Sequence, residues 1–207
     1  MPATPETTSE RMRRLSLLLF FIILSGPASA EPWEFSRLRE NGGAFLAGFA
    51  SGYAAHELGH IIVSGSQGVD YEFDGVTIVY PGANMTDRQH LRVATSGFQA
   101  QWLVSEAALR YREKRAMSDF GDSFNAGLVG SHLVITAAYL TILKDHEDGD
   151  LLGASDATGI STDRLAALAA IPALLDAWRL FGKDVPKWVP ALSLGSKAVG
   201  LTAIWTY

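Results

Sequence analysis

Hydrophobic positions along this chain gather into long runs separated by short polar loops. Residues 44–64 form the first, an Ala- and Gly-rich stretch in which Glu57 is the only group charged at neutral pH. As a helix rising about 1.5 Å per residue it would be roughly 30 Å long, the thickness of a bilayer core. Residues 69–80 follow another period: Tyr71, Phe73, Val76, Ile78 and Tyr80 stand among polar neighbours around Asp74-Gly75, and Pro81-Gly82 ends the run. Alternation about an Asp-Gly turn predicts a β-hairpin. Residues 93–111, 124–143, 162–181 and 190–207 are again apolar and predict helices. The segment 162–181 is the most interrupted, with Asp163, Arg164, Asp176, Arg179 and a central Pro172. Gly48, Gly52, Ala55 and Gly59 lie three or four residues apart, which makes one face of the first helix nearly smooth.

The chain starts with Arg11, Arg13 and Arg14, an apolar run from Leu15 to Leu24, and Ala28-Ser29-Ala30. This is the pattern of an export signal, so residues 1–30 are expected to be a signal peptide and 31–207 one domain. The full chain carries a formal charge of -5, with 17 basic against 22 acidic residues and no cysteine. No basic stripe interleaved with aromatics is present, which argues against a nucleic-acid partner. If every apolar run spans, the loops expected outside hold twice the Lys and Arg of those inside, the reverse of the usual bias.

The chemistry concentrates in His56-Glu57-Leu58-Gly59-His60. Residues four apart on a helix share a face, so both imidazoles can reach one cation while Glu57 stands beside them. Two neutral imidazoles and a third ligand hold Zn²⁺ tetrahedrally and leave one position for water, which a carboxylate can deprotonate. With five His and ten Glu in 207 residues, chance supplies such a pentapeptide on the order of 0.006 times per chain. A metal site is therefore the better reading. The backbone N–H groups of Asn84 and Gly97 are candidates to stabilise an oxyanion.

The stretch Ala55-His56-Glu57-Leu58-Gly59-His60, on an apolar Gly/Ala-rich helix, resembles the zinc helix of the site-2 protease family of intramembrane metalloproteases. That resemblance implies a hairpin-like insertion after the zinc helix, matched by residues 71–80, and a helix entry at Ser96-Gly97-Phe98. It also implies an Asp as third zinc ligand, which falls on Asp148-Gly149-Asp150-Leu151-Leu152-Gly153. Asp150, between Gly149 and two leucines, ranks first as that ligand, followed by Asp148, Asp156, Glu106 and His132. Glu106 and His132 each stand as lone ionisable groups in apolar runs. His90 and His146 lie in charged surroundings and receive no role.

The expectation is thus an all-α-dominated membrane protein, of about four or five apolar helices with one short hairpin after the zinc helix. It would be exported through its signal peptide and embedded in a bacterial-type inner membrane in contact with lipid. Its expected activity is cleavage of a peptide or single-span membrane protein, with Zn²⁺ held by His56, His60 and Asp150, and Glu57 as general base. The inverted charge bias favours a second arrangement, an exported soluble zinc peptidase using Glu106. A non-catalytic scaffold is the third.

Overall fold

The computed structural model describes residues 30–75 and 77–207. Residues 1–29, on which the signal-peptide expectation rests, lie outside the described residues. A single 3₁₀ turn (Phe35–Arg37) leads into α1 (Leu38–Gln67), and β1 (Glu72–Phe73) pairs antiparallel with β2 (Ile78–Val79). Helices α2 (Asp87–Ala94), α3 (Ser96–Lys114), α4 (Asp119–Thr141), α5 (Asp150–Thr158), α6 (Thr162–Phe181) and α7 (Trp188–Thr206) follow.

The element boundaries have local causes. Gly68, at φ 66°, closes α1 in a left-handed conformation that glycine adopts without steric cost. Thr86 and Gln89 form a reciprocal capping box that starts α2, and the Ser118 hydroxyl accepts from the Gly121 N–H to start α4. The run 93–111, expected as one helix, is divided: α2 ends at Ala94 and α3 begins at Ser96, with Thr95 between them. Pro172 sits inside α6 without ending it.

The bundle is organised around α1. A Cβ at Gly48 would collide with the Phe124 carbonyl, one at Gly52 with Ser131, and one at Gly127 with the Phe45 carbonyl. Helices α1 and α4 therefore meet backbone to backbone, as the smooth face of α1 foreshadows. Gly59 makes the same close approach to α3 at the Ser96 carbonyl. Two apolar cores flank this seam. One gathers Trp33, Ala108, Leu109, Ala126, Val129 and Leu180; the other includes Leu91, Phe98, Trp102, Tyr139, Leu151 and Ile204.

The membrane-embedded architecture is overturned. Among the described residues seven α-helices form, and none is long and apolar enough to cross a membrane. The expected location in a membrane falls with it. Polar residues explain the difference. The turns at helix ends are charged, with Arg39 and Glu40 opening α1 and Asp119 and Asp122 opening α4. Asp176 and Arg179, which read as interruptions of a span, meet Glu106 and Lys197 inside the bundle.

Candidate metal centre

The 30-residue α1 carries His56 and His60 on its inward face, both buried at 3% and 2% exposure. Opposite them, Gly149 takes an extended conformation and α5 begins at once with Asp150, which is 6% exposed. The first turn of a helix favours a carboxylate, because its backbone N–H groups point toward it.

The three side chains converge on one point. His56 Nε2 and His60 Nε2 are 3.3 Å apart; Asp150 Oδ2 lies 3.3 Å from His56 Nε2 and Oδ1 lies 3.3 Å from His60 Nε2. Tetrahedral ligands at the usual Zn–N distance of about 2.05 Å are about 3.35 Å apart, so the separation of the two imidazole nitrogens matches one edge of a zinc coordination tetrahedron, and each nitrogen faces one oxygen of the Asp150 carboxylate. A charge-assisted N–H···O bond would instead draw the atoms to about 2.7–2.9 Å.

Protonation and supporting contacts agree with that chemistry. His60 Nδ1 lies 3.0 Å from the Val93 carbonyl and 3.1 Å from Ser96 Oγ, which itself donates to the same carbonyl. A carbonyl can only accept, so Nδ1 carries a proton, which turns Nε2 toward the cluster. The His56 ring rests on Gly97, where a Cβ would fall on the imidazole. The Asp150 N–H donates to the Tyr139 hydroxyl at 3.2 Å, fixing the start of α5. Among the described residues Asp150 Oδ2 has no hydrogen-bond partner, an orphan that a cation in the cluster would satisfy, while His56 Nδ1, on the far side of its ring from the cluster, is also unpartnered.

Electrostatics point the same way. Burial opposes ionisation of Asp150, yet His60 and His56 hold its carboxyl well below the usual range. Burial also opposes a charged His60, but Asp150 outweighs it and raises the imidazole. The pocket is therefore strongly attractive to positive charge.

Glu57, half-buried, stands on α1 beside His56. Its Oε2 accepts from the Ile78 N–H and the Thr77 hydroxyl, both at 3.1 Å, and Tyr53 hydrogen-bonds the same carboxylate. The hairpin is thus pinned to the motif itself. A cleft of about 490 Å³ opens beside the cluster, lined by His60 and Asp150 together with Ile78, Tyr80, His90 and Asp156.

The other candidates have different surroundings. Asp148 and Asp156 line the cleft but stand outside the three-residue cluster. Glu106 is engaged by Arg179 at 2.6 Å, Arg110 at 2.9 Å and Lys197 at 3.0 Å. Burial would raise its carboxyl, but Lys197 and Arg179 hold it at about 2. His132 is fully buried with Nε2 3.8 Å from Asp176, and burial pushes it down to about 4. His90, given no role from sequence, packs against Gly153 and faces the cleft. Tyr80 and Tyr139 also escaped sequence reasoning, since an aromatic in a strand or helix reads first as core. In comparisons with known protein families, curated proteins and solved structures, nothing matches this chain.

Proposed function

We propose that the protein is a zinc-dependent hydrolase acting on peptide bonds, with His56, His60 and Asp150 as the metal ligands and Glu57 as general base. The observation that carries this reading is the buried cluster in which His56 Nε2 and His60 Nε2 are 3.3 Å apart and each lies 3.3 Å from one oxygen of Asp150. Zn²⁺ bound there supplies a Lewis acid that polarises a carbonyl and lowers the pKa of a water to about 7. Glu57, next to His56 in the chain, takes the proton of the attacking water and hands it to the departing amine. Its anchoring by Ile78 and Thr77 holds the carboxylate in one place, which removes the entropy of positioning it at the moment of transfer. His60 is oriented through Val93 and Ser96, and Asp150 through Tyr139. The cleft admits an extended peptide segment rather than a folded surface.

The test is elemental analysis beside hydrolysis of fluorescein-labelled casein. Wild type and Glu57→Gln should each hold one zinc per chain, while His56→Ala and Asp150→Ala lose it. Turnover should fall at least about 100-fold in Glu57→Gln. A wild-type chain that takes up no zinc refutes the metal centre; full activity in Glu57→Gln refutes the mechanism.

One observation favours a second reading. The bonds from Glu57 to Thr77, Ile78 and Tyr53 are also those of a structural residue. On that reading zinc is a staple holding α5 to α1 in a non-catalytic scaffold. Stoichiometric zinc in a chain that hydrolyses nothing would select it.

A further inference from the structure

Two tyrosines approach Asp150, and they are used differently. Tyr139, from α4, is 8% exposed and its hydroxyl accepts the Asp150 N–H. Tyr80 follows β2, two residues beyond Ile78, so the two side chains share a face of the extended hairpin arm. Ile78 is the residue whose N–H fixes Glu57, and both Ile78 and Tyr80 line the cleft beside His60 and Asp150. The Tyr80 ring lies 6.4 Å from the His60 ring, centroid to centroid. Its hydroxyl is buried and has no hydrogen-bond partner among the described residues.

A buried hydroxyl without a partner forfeits about 1–3 kcal/mol relative to water, so its retention calls for a ligand that completes it. An ordinary phenol, with a pKa of about 10, keeps its proton across the physiological range, so toward an oxyanion the hydroxyl is a donor.

We propose that the Tyr80 hydroxyl donates a hydrogen bond to the substrate carbonyl oxygen as that oxygen gains negative charge, making Tyr80 a catalytic residue of this site. The assignment rests on the zinc-hydrolase reading. No proton leaves the phenol and no bond to it forms; it complements the charge that water attack places on the oxygen. The hairpin then has two tasks on one short arm: Ile78 and Thr77 hold the base, and Tyr80 holds the oxygen. This accounts for an exposed two-stranded ribbon being tied to the pentapeptide.

The test uses Tyr80→Phe in the full chain with zinc and acetohydroxamate, a small chelator whose oxygens stand in for the reacting carbonyl. Wild type and variant are expected to bind equal zinc. Acetohydroxamate affinity, read by calorimetry, should fall about 10- to 100-fold in the variant, the range for one hydrogen bond to a charged group. The melting temperature of the metal-free variant should be unchanged or higher, because the lost hydroxyl bonds nothing in the folded chain. Equal hydroxamate affinity in the two zinc-loaded proteins overturns the assignment while leaving the metal centre intact. A variant that melts lower overturns it too, since the hydroxyl would then be structural. Absence of zinc from the wild type overturns the underlying reading, and this assignment with it.

Discussion

Lys197→Met replaces a buried ammonium by an apolar side chain of similar length. Lys197 is 2% exposed, and its Nζ lies 3.0 Å from Glu106 Oε2 and 2.8 and 2.9 Å from the two Asp176 oxygens. At an effective dielectric of 20, one such contact at 2.9 Å amounts to about 6 kcal/mol of Coulomb attraction. Desolvation of the ammonium, recovered in the variant, cancels part of it. Glu106 retains Arg179 and Arg110, whereas Asp176 is left with the Ser105 and Ser193 hydroxyls, Arg179 at 3.7 Å and His132 at 3.8 Å. Removing one partner of a buried charge pair costs about 3–5 kcal/mol. For a chain of this size each kcal/mol shifts the melting temperature by about 2–4 °C, so a fall of about 6–20 °C is expected. Urea melts of wild type, Lys197→Met, Asp176→Asn and the double variant separate the terms. The double variant should be more stable than the sum of the single losses predicts, by at least about 1 kcal/mol. A cost below about 1 kcal/mol for Lys197→Met, or strict additivity, would refute this account of the interior.

Gly97→Ala places a methyl group on the His56 ring, so zinc uptake should be lost, whereas Gly195→Ala, with open space around it, should be neutral or stabilise by up to about 1 kcal/mol. Both are read by metal content and thermal melts. Because the Glu106 carboxyl sits at about 2 in the folded chain against an ordinary value near 4.5, its stabilisation is present above about pH 4.5 and disappears as pH falls toward 2. The stability gap between wild type and Glu106→Gln should close over that window. His132, held down to about 4, has the complementary behaviour: the unfolded chain takes up a proton below about pH 6.5 that the folded chain refuses until about 4. His132→Asn should flatten the stability profile between those values. Free zinc at 100 times its dissociation constant should stabilise the wild type by about 2.7 kcal/mol, and a chelator should remove that increment; equal melting temperatures would refute a zinc site in the native fold.

Much of the local architecture is written in local patterns. The long first helix, the hairpin around Asp74-Gly75 and the helix Thr162–Phe181 each carry a period or a turn signal within a few residues. His56 and His60 share a face because of their spacing, and Asp150 drew attention through the Gly149 beside it. What the chain hides is pairing over distance. Glu106 and Lys197 are 91 residues apart, and Ser105 and Asp176 are 71 apart, so no local pattern announces that they meet. The membrane expectation came from the apolar runs and the family resemblance. The polar start of α2 was overlooked because its first turn has charge and no apolar period, although Thr86 and Gln89 spell out a capping box. Tyr80 read as an ordinary strand aromatic until its hydroxyl proved unpartnered.

The third member of the donor cluster comes from far along the chain, since Asp150 lies 90 positions after His60. An unfolded or half-folded chain presents only a pair of histidines, a weak and unselective trap for metal. The complete site exists only after α4 has docked on α1 and α5 has come to rest on α2. On the proposed zinc reading, metal capture is a late event in maturation, and nearly all of its binding energy accrues to the finished fold. Such a protein would report its own completion: the chain that has acquired its ion would be the chain that has already folded.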